Sequence, residues 1–281
     1  MYTNDMAAYL RPRRLDEALN ALVRPHTVLA GGTDFYPARV GRPITEDVLD
    51  VSAIAELRGI STDAQGWRLG ATATWSELVE ADLPPLFDGL KQAAREVGGR
   101  QIQNAGTLAG NLCNASPAAD GVPCLLALGA EIEVAGRGGR RRVPLRQFIT
   151  GVRRTSLAVD ELVTAIHVPR PLHEARSGFL KLGARRYLVI SIAMVAATLE
   201  VADGRVASAA IAVGACSPVA ERLPALEAAL AGAALDARLA DRVEAAHLAP
   251  LAPIDDIRGS AAYRSGAVLA LVRRLLGGFA T

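Results

Sequence analysis

The sequence predicts an α+β protein in two parts, and three observations carry that prediction. Its 281 residues are enough for two packed domains. The first 170 residues alternate short strand-like and helix-like segments, whereas the remainder runs as strands first and helices afterwards. The texture changes near Pro169–His173, so the expected domains are 1–170, itself a small α/β unit of about 1–55 and a larger unit of about 56–170, and 171–281.

Taken in order, LDEALNAL (Leu15 to Leu22) has helical apolar spacing, and TVLAGG (Thr27 to Gly32) reads as a buried strand ending in a double glycine. DVLDVS and WRLGA read as further strands. Thr74-Trp75-Ser76-Glu77 is a capping box that opens a helix. PPLFDGLKQAAREV is a helix with proline in its first turn. Arg100 to Asp120, RQIQNAGTLAGNLCNASPAAD, carries three Asn and no charge between its ends, which reads as a loop. Ser116-Pro117 then suits the start of a helix. AEIEVAGRGGRRRVPL predicts two strands around a glycine-rich turn. Beyond Pro171, GFLKLGARR, SIAMVAATLEV and VASAAIAVGA predict three strands, the last two joined at Asp203-Gly204, and Leu223 to Phe279 is Ala/Leu-rich and helical.

Composition narrows the function. A formal net charge of +2 is too small to steer a nucleic acid or a membrane surface. No apolar run has the length of a membrane span, and the opening MYTNDMAAYLRPRR lacks the apolar stretch of a secretory leader. Three cysteines without CxxC spacing predict a reducing cytoplasm and no metal or cluster held by this chain. The four histidines show no ligand spacing, and the arginines of GRGGRRR have no aromatic platform beside them, which predicts a solvated hairpin or a partner-facing patch. Basic residues are almost all Arg; Lys91 and Lys181 are the two lysines.

Two stretches carry chemistry. In LAGGTDFYP, Gly31 and Gly32 let backbone N–H groups converge and let an anion approach, with the Thr33 hydroxyl beside them; a plain strand-exit turn is the other reading. Neither GxGxxG nor Gly-Lys-Ser/Thr is present. Thr107-Leu108-Ala109-Gly110-Asn111 again pairs a hydroxyl with small residues, and Asn104, Asn111 and Asn114 add amides. Two donor-rich stretches in one domain suit an extended dinucleotide, FAD above all.

LAGGTDFYP, NAGTLAGNLCNASPAAD, ELVTAIHVP and GFLKLGARR, in this order, resemble the FAD-binding medium subunits of molybdenum hydroxylases, the group that includes xanthine dehydrogenase and carbon monoxide dehydrogenase. The resemblance spans essentially the whole chain. It implies a two-part FAD-binding domain of the PCMH type, followed by a domain with a three-stranded antiparallel sheet and a helical bundle. Carried over residue by residue, it makes Leu29, Ala30, Gly31, Gly32, Thr33, Asp34 and Phe35 the first phosphate-gripping loop, and Ala105, Gly106, Thr107, Gly110 and Asn111 the second flavin loop. Cys113 and Val163 fall where small or apolar side chains abut the cofactor, Asp120 where a polar contact to FAD is made, and Lys181 where a lysine reaches the flavin region. Asp34 beside a phosphate is an electrostatic cost unless it points away or bonds a hydroxyl. Many relatives have an acidic residue after the arginine pair; here the chain reads Arg185-Arg186-Tyr187-Leu188-Val189-Ile190. The cysteine-rich insertion of the benzoyl-coenzyme A reductase relatives is lacking.

The resemblance further implies an electron-transfer subunit of a heterotrimer. An iron–sulfur small subunit would carry two [2Fe-2S] clusters and a large subunit the molybdopterin, with electrons passing through FAD here to an external acceptor and no catalytic residue in this chain. Pairing of the trimers by two-fold symmetry into a dimer of heterotrimers is the expected assembly. A free-standing flavin oxidoreductase and a cofactor-free scaffold subunit are the alternatives.

Overall fold

The computed structural model describes residues 7–280, so the first six residues of the opening read above lie outside it. Three main sheets, a two-stranded ribbon and the helices between them build the described residues. The first unit holds β1 (Tyr9–Leu10), α1 (Leu15–Ala21), β2 (Thr27–Leu29) and β3 (Val48–Asp50), with β3 central and parallel to both neighbours. Leu15 and Ala18 of α1 and Leu49 of β3 are buried in the main core.

The second unit contains β4 (Ile60–Thr62), β5 (Gly66–Gly70), α2 (Trp75–Glu80), α3 (Asp88–Glu96), α4 (Arg100–Ala105), α5 (Leu108–Asn114) and α6 (Gly121–Ala127). After these come β6 (Glu131–Gly136), β7 (Gly139–Pro144), α7 (Leu145–Phe148), the small ribbon β8 (Ile149–Gly151) with β9 (Arg154–Thr155), and β10 (Leu162–Pro169). The five-stranded antiparallel sheet runs β4-β5-β10-β6-β7, so the last strand in sequence is inserted at the middle. Its inner face buries Leu69, Ile132, Val134, Ile166 and Val168.

Local chemistry explains the helices. The Thr74 capping box forms as read, the side chain accepting from the Glu77 amide while Glu77 reaches back to the Thr74 amide. The stretch 100–114 is helical rather than looped. α4 and α5 are each under two turns, too short to persist on propensity alone. Burial of Leu108 and Leu112 and the Thr107 cap on the Gly110 amide hold α5 in place. The predicted helix at Ser116-Pro117 starts later, at Gly121. The Ser116 hydroxyl accepts from Ala118 in a turn instead, and Pro117 gives its carbonyl to the Ala215 amide.

The last unit is the sheet β11 (Glu174–Leu182), β12 (Ala193–Ala202), β13 (Arg205–Gly214) and β14 (Glu221–Arg222), all antiparallel; the two-residue β14 adds a fourth strand to the three expected. Asp203 and Gly204, both at positive φ, make the β12–β13 turn. The helical cover consists of α8 (Pro224–Leu230), short 3-10 turns and α9 (Ala261–Gly277), with an irregular stretch around Pro250 and Pro253 where proline removes amide donors. Period-two alternation gives this sheet two buried faces. Val195, Leu199, Ile211 and Val213 pack under α8 and α9, whereas Met194, Ala196 and Ala212 join the core of the preceding units. Contact there is close: a Cβ on Gly89 of α3 would lie 2.9 Å from the backbone of Gly178 in β11. The Gly89 amide donates to Ser177 Oγ, and the Phe179 amide to Gln92 Oε1.

Candidate cofactor-binding site

A cavity of about 600 Å³ opens where the three-stranded unit, α2, α4–α5 and the start of β10 meet. One wall is the turn from Leu29 to Phe35 that follows β2. Gly32 takes φ +71°, a left-handed conformation that disfavours side chains, and the Tyr36 ring packs where its Cβ would be. Gly31 runs so close to the opposite wall that a Cβ would meet the Ala105 carbonyl oxygen at 1.8 Å. Among the described residues, the amides of Gly32, Thr33, Asp34 and Phe35 have no acceptor within the chain. Clustered free amides are what an anion needs.

The other wall is stitched in place by its backbone. The Leu108 amide donates to the Ala73 carbonyl and the Trp75 amide to the Gly106 carbonyl, so the turn before α5 rides on the cap of α2. Gly106, Thr107, Gly110, Asn111 and Cys113 all face the cavity, and Asn111 Oδ1 is buried without a partner. That oxygen is packed toward Gly121, so it is a local cost of the wall rather than a contact open to a ligand. Val163 closes the far end together with Leu157, Glu161 and Leu162. Glu161 is fixed by Arg141, which donates through Nε at 2.9 Å and Nη2 at 2.7 Å; that contact, with Arg140–Glu133 at 3.0 Å, turns the basic hairpin into ion pairs.

Three expected site residues do not line the cavity. Ala105 contributes its carbonyl to the packing against Gly31 and stays behind the surface. Asp120 and Lys181 are drawn to each other, Nζ to Oδ2 at 2.6 Å, and Ser191 Oγ donates to the second carboxylate oxygen at 2.6 Å. Burial raises the Asp120 carboxyl above the usual carboxylate range, and the Lys181 ammonium and Ser191 hydroxyl oppose it. This cluster lies one layer back: a Cβ on neighbouring Gly121 would sit 3.1 Å from Asn111 Oδ1. Asp34 is exposed, which lessens the expected electrostatic cost. Tyr187 stays outside the lining, 58 % exposed with Arg186 over its ring. His167, one of the four histidines without ligand spacing, pairs with Glu133 on the five-stranded sheet at 3.0 Å.

Sequence reasoning missed Thr72, Trp75, Ile102, Arg39 and Glu161, all on the cavity wall. Trp75 had a signal in being one of two tryptophans next to a helix cap. The others had none, because each reaches the cavity through tertiary packing.

The whole arrangement has solved counterparts. Residues 4–171 match the family described as the FAD binding domain in molybdopterin dehydrogenase, and residues 179–278 match the CO dehydrogenase flavoprotein C-terminal domain. The chain belongs to the FAD-binding medium subunits of the molybdenum hydroxylases. It is 29% identical over 278 residues to the xanthine dehydrogenase FAD-binding subunit of Escherichia coli O157:H7, covering 97% of this chain and 95% of that one. Identity to the nicotine 6-hydroxylase medium subunit of Paenarthrobacter nicotinovorans is 31% over 275 residues, 95% of each. The reconstituted CO dehydrogenase of Oligotropha carboxidovorans superposes with a TM-score of 0.87 at 28% identity, over 100% of this chain and 99% of that one. This medium subunit is therefore an FAD-containing oxidoreductase subunit. The free amides of the first turn and the cavity beside them fit the dinucleotide. No helix among the described residues is long and apolar enough to cross a membrane.

Proposed function

We propose that this subunit holds FAD as the relay between the [2Fe-2S] clusters of a small partner subunit and an external acceptor, in a complex whose large subunit carries the molybdopterin. The observation that carries the reading is the cavity itself, set between two glycine-rich turns, the first of which offers a run of free amides to an extended dinucleotide. The cofactor supplies the exchange of electrons, singly or in pairs. The chain's own residues orient it and keep water from it. Gly31 and Gly32 allow close approach, the amides of 32–35 take the diphosphate, and Thr107, Gly110, Asn111 and Cys113 form the second wall. Val163 packs against the far end, and the Asp120–Lys181 pair supports that wall from behind. Glu161, the carboxylate at the far end of the cavity, is already committed to its ion pair with Arg141. That commitment suits holding a cofactor better than moving a substrate's proton.

The partners we assign are an iron–sulfur small subunit and a molybdopterin-binding large subunit, with the trimer paired by two-fold symmetry. The three cysteines are free thiols, which agrees with assembly in the cytoplasm. Anaerobic addition of the organic substrate tests the relay. In the complex the flavin absorbance should bleach, and in the isolated subunit it should not. Direct bleaching of the isolated subunit would establish a free-standing oxidoreductase instead.

A further inference from the structure

We propose that Arg39 is the counter-ion of the FAD diphosphate, which rests on the assignment of this cavity to FAD. The charged side chains that line it, among the described residues, are Asp34, Arg39 and Glu161. Glu161 is tied to Arg141, and Asp34 brings a second negative charge, so Arg39 is the cation a diphosphate would meet there. It stands at the end of the short 3-10 turn Pro37–Arg39, which directly follows the free amides of the first turn.

Its geometry is set before any ligand arrives. Nη1 donates to the Phe35 carbonyl at 2.9 Å, Nε donates to Glu46 Oε1 at 2.6 Å, and Nη2 donates to the same oxygen. The guanidinium carbon lies 3.9 Å above the Phe35 ring centroid, a cation–π contact that further restrains it. These contacts use some of the guanidinium N–H groups and leave others unpartnered. The side chain is 26 % exposed, enough to be reached by a ligand. A planar cation with spare donors suits two phosphate oxygens, whereas a lysine would offer a point charge without the fork. Glu46 is not on the lining, so its role is to fix the guanidinium rather than to face the anion.

The test titrates FAD into the full chain stripped of flavin, at a series of salt concentrations, using wild type, Arg39→Gln and Arg39→Lys. Wild-type affinity should fall as salt rises, because the pair is partly exposed. Arg39→Gln should bind at least about tenfold more weakly and lose most of that salt dependence. Arg39→Lys should bind less tightly than wild type with the salt dependence kept. A glutamine variant with the wild-type salt dependence, whatever its affinity, overturns the inference, and so does a lysine variant that has lost it. Wild type that takes up no FAD would instead sink the site assignment, and the inference with it.

Discussion

Lys181 Nζ stands 2.6 Å from Asp120 Oδ2, both side chains less than a tenth exposed, and joins β11 to the start of α6 behind the cofactor cavity. Truncating one partner leaves the other charge or its neutral form buried and unmatched, which costs about 3–5 kcal/mol. Lys181→Met should therefore lower the urea midpoint sharply. The pair replacement Lys181→Met with Asp120→Leu should recover much of that loss, and a double variant no better than the single one would refute the account.

The two walls should respond differently to one added methyl. A Cβ on Gly31 meets the backbone oxygen of Ala105, which cannot step aside, so Gly31→Ala should separate the walls and be purified without flavin. A Cβ on Gly110 meets Thr107 Oγ1 at 2.7 Å, a hydroxyl that can rotate away at the expense of the helix cap. Gly110→Ala should lose about 1 kcal/mol and retain most of its FAD. The ratio of flavin to protein absorbance separates the two outcomes; equal retention would contradict the geometry.

Glu161 gives the site an acid limit. Its carboxyl is held below its ordinary value of 4.5, first by the Arg141 hydrogen bonds, with burial opposing and the Ala158 amide assisting. A depressed carboxylate contributes stability that is fully present above the unfolded value and lost as pH falls through the folded one. The melting temperatures of wild type and Glu161→Gln should differ at neutrality and converge below about pH 4.5. A constant gap across that range would show that the charge is not what matters.

Arg264 tests the second core. The side chain is 2 % exposed; it donates to the carbonyls of Ile192 and Ala215 and to Asp256 Oδ1 at 2.6 Å. Arg264→Met would leave the Ala215 carbonyl unmet and the Ile192 carbonyl with the Cys216 thiol alone, a loss of about 1–3 kcal/mol or more. Thermal unfolding should fall by several degrees, with the Asp256 loop more readily cleaved by protease.

Much of the local architecture was legible because its causes are local. The Thr74 cap, the Asp203-Gly204 turn and the alternation in β12 each follow from neighbouring residues. The glycine turns were legible too, since a close approach needs a residue without a side chain. What stayed hidden depends on strands meeting across long intervals. β10 enters the sheet between β5 and β6, which brings Glu161 to a wall begun at Leu29, whereas Val163 was placed there through the family resemblance alone. Asp120 and Lys181, 61 residues apart, looked like two cofactor contacts because nothing in either neighbourhood shows that they satisfy each other. α4 and α5 were misread as loop because packing supplies what their composition lacks.

The doubly buried C-terminal sheet has a consequence for how this chain can be divided. Met194, Ala196 and Ala212 complete a core that begins at Leu15, so the seam near His173 is a boundary in sequence but not in cohesion. A nick there should leave a non-covalent dimer of fragments that comigrate in a native gel. A gene fragment ending at the same point should yield a sticky, short-lived product. Grafting the last hundred residues of a relative would have to match the α3 and α6 surfaces beneath β12 side chain by side chain, so chimeras of this protein should tolerate exchange of the outer helices far better than exchange of the strands.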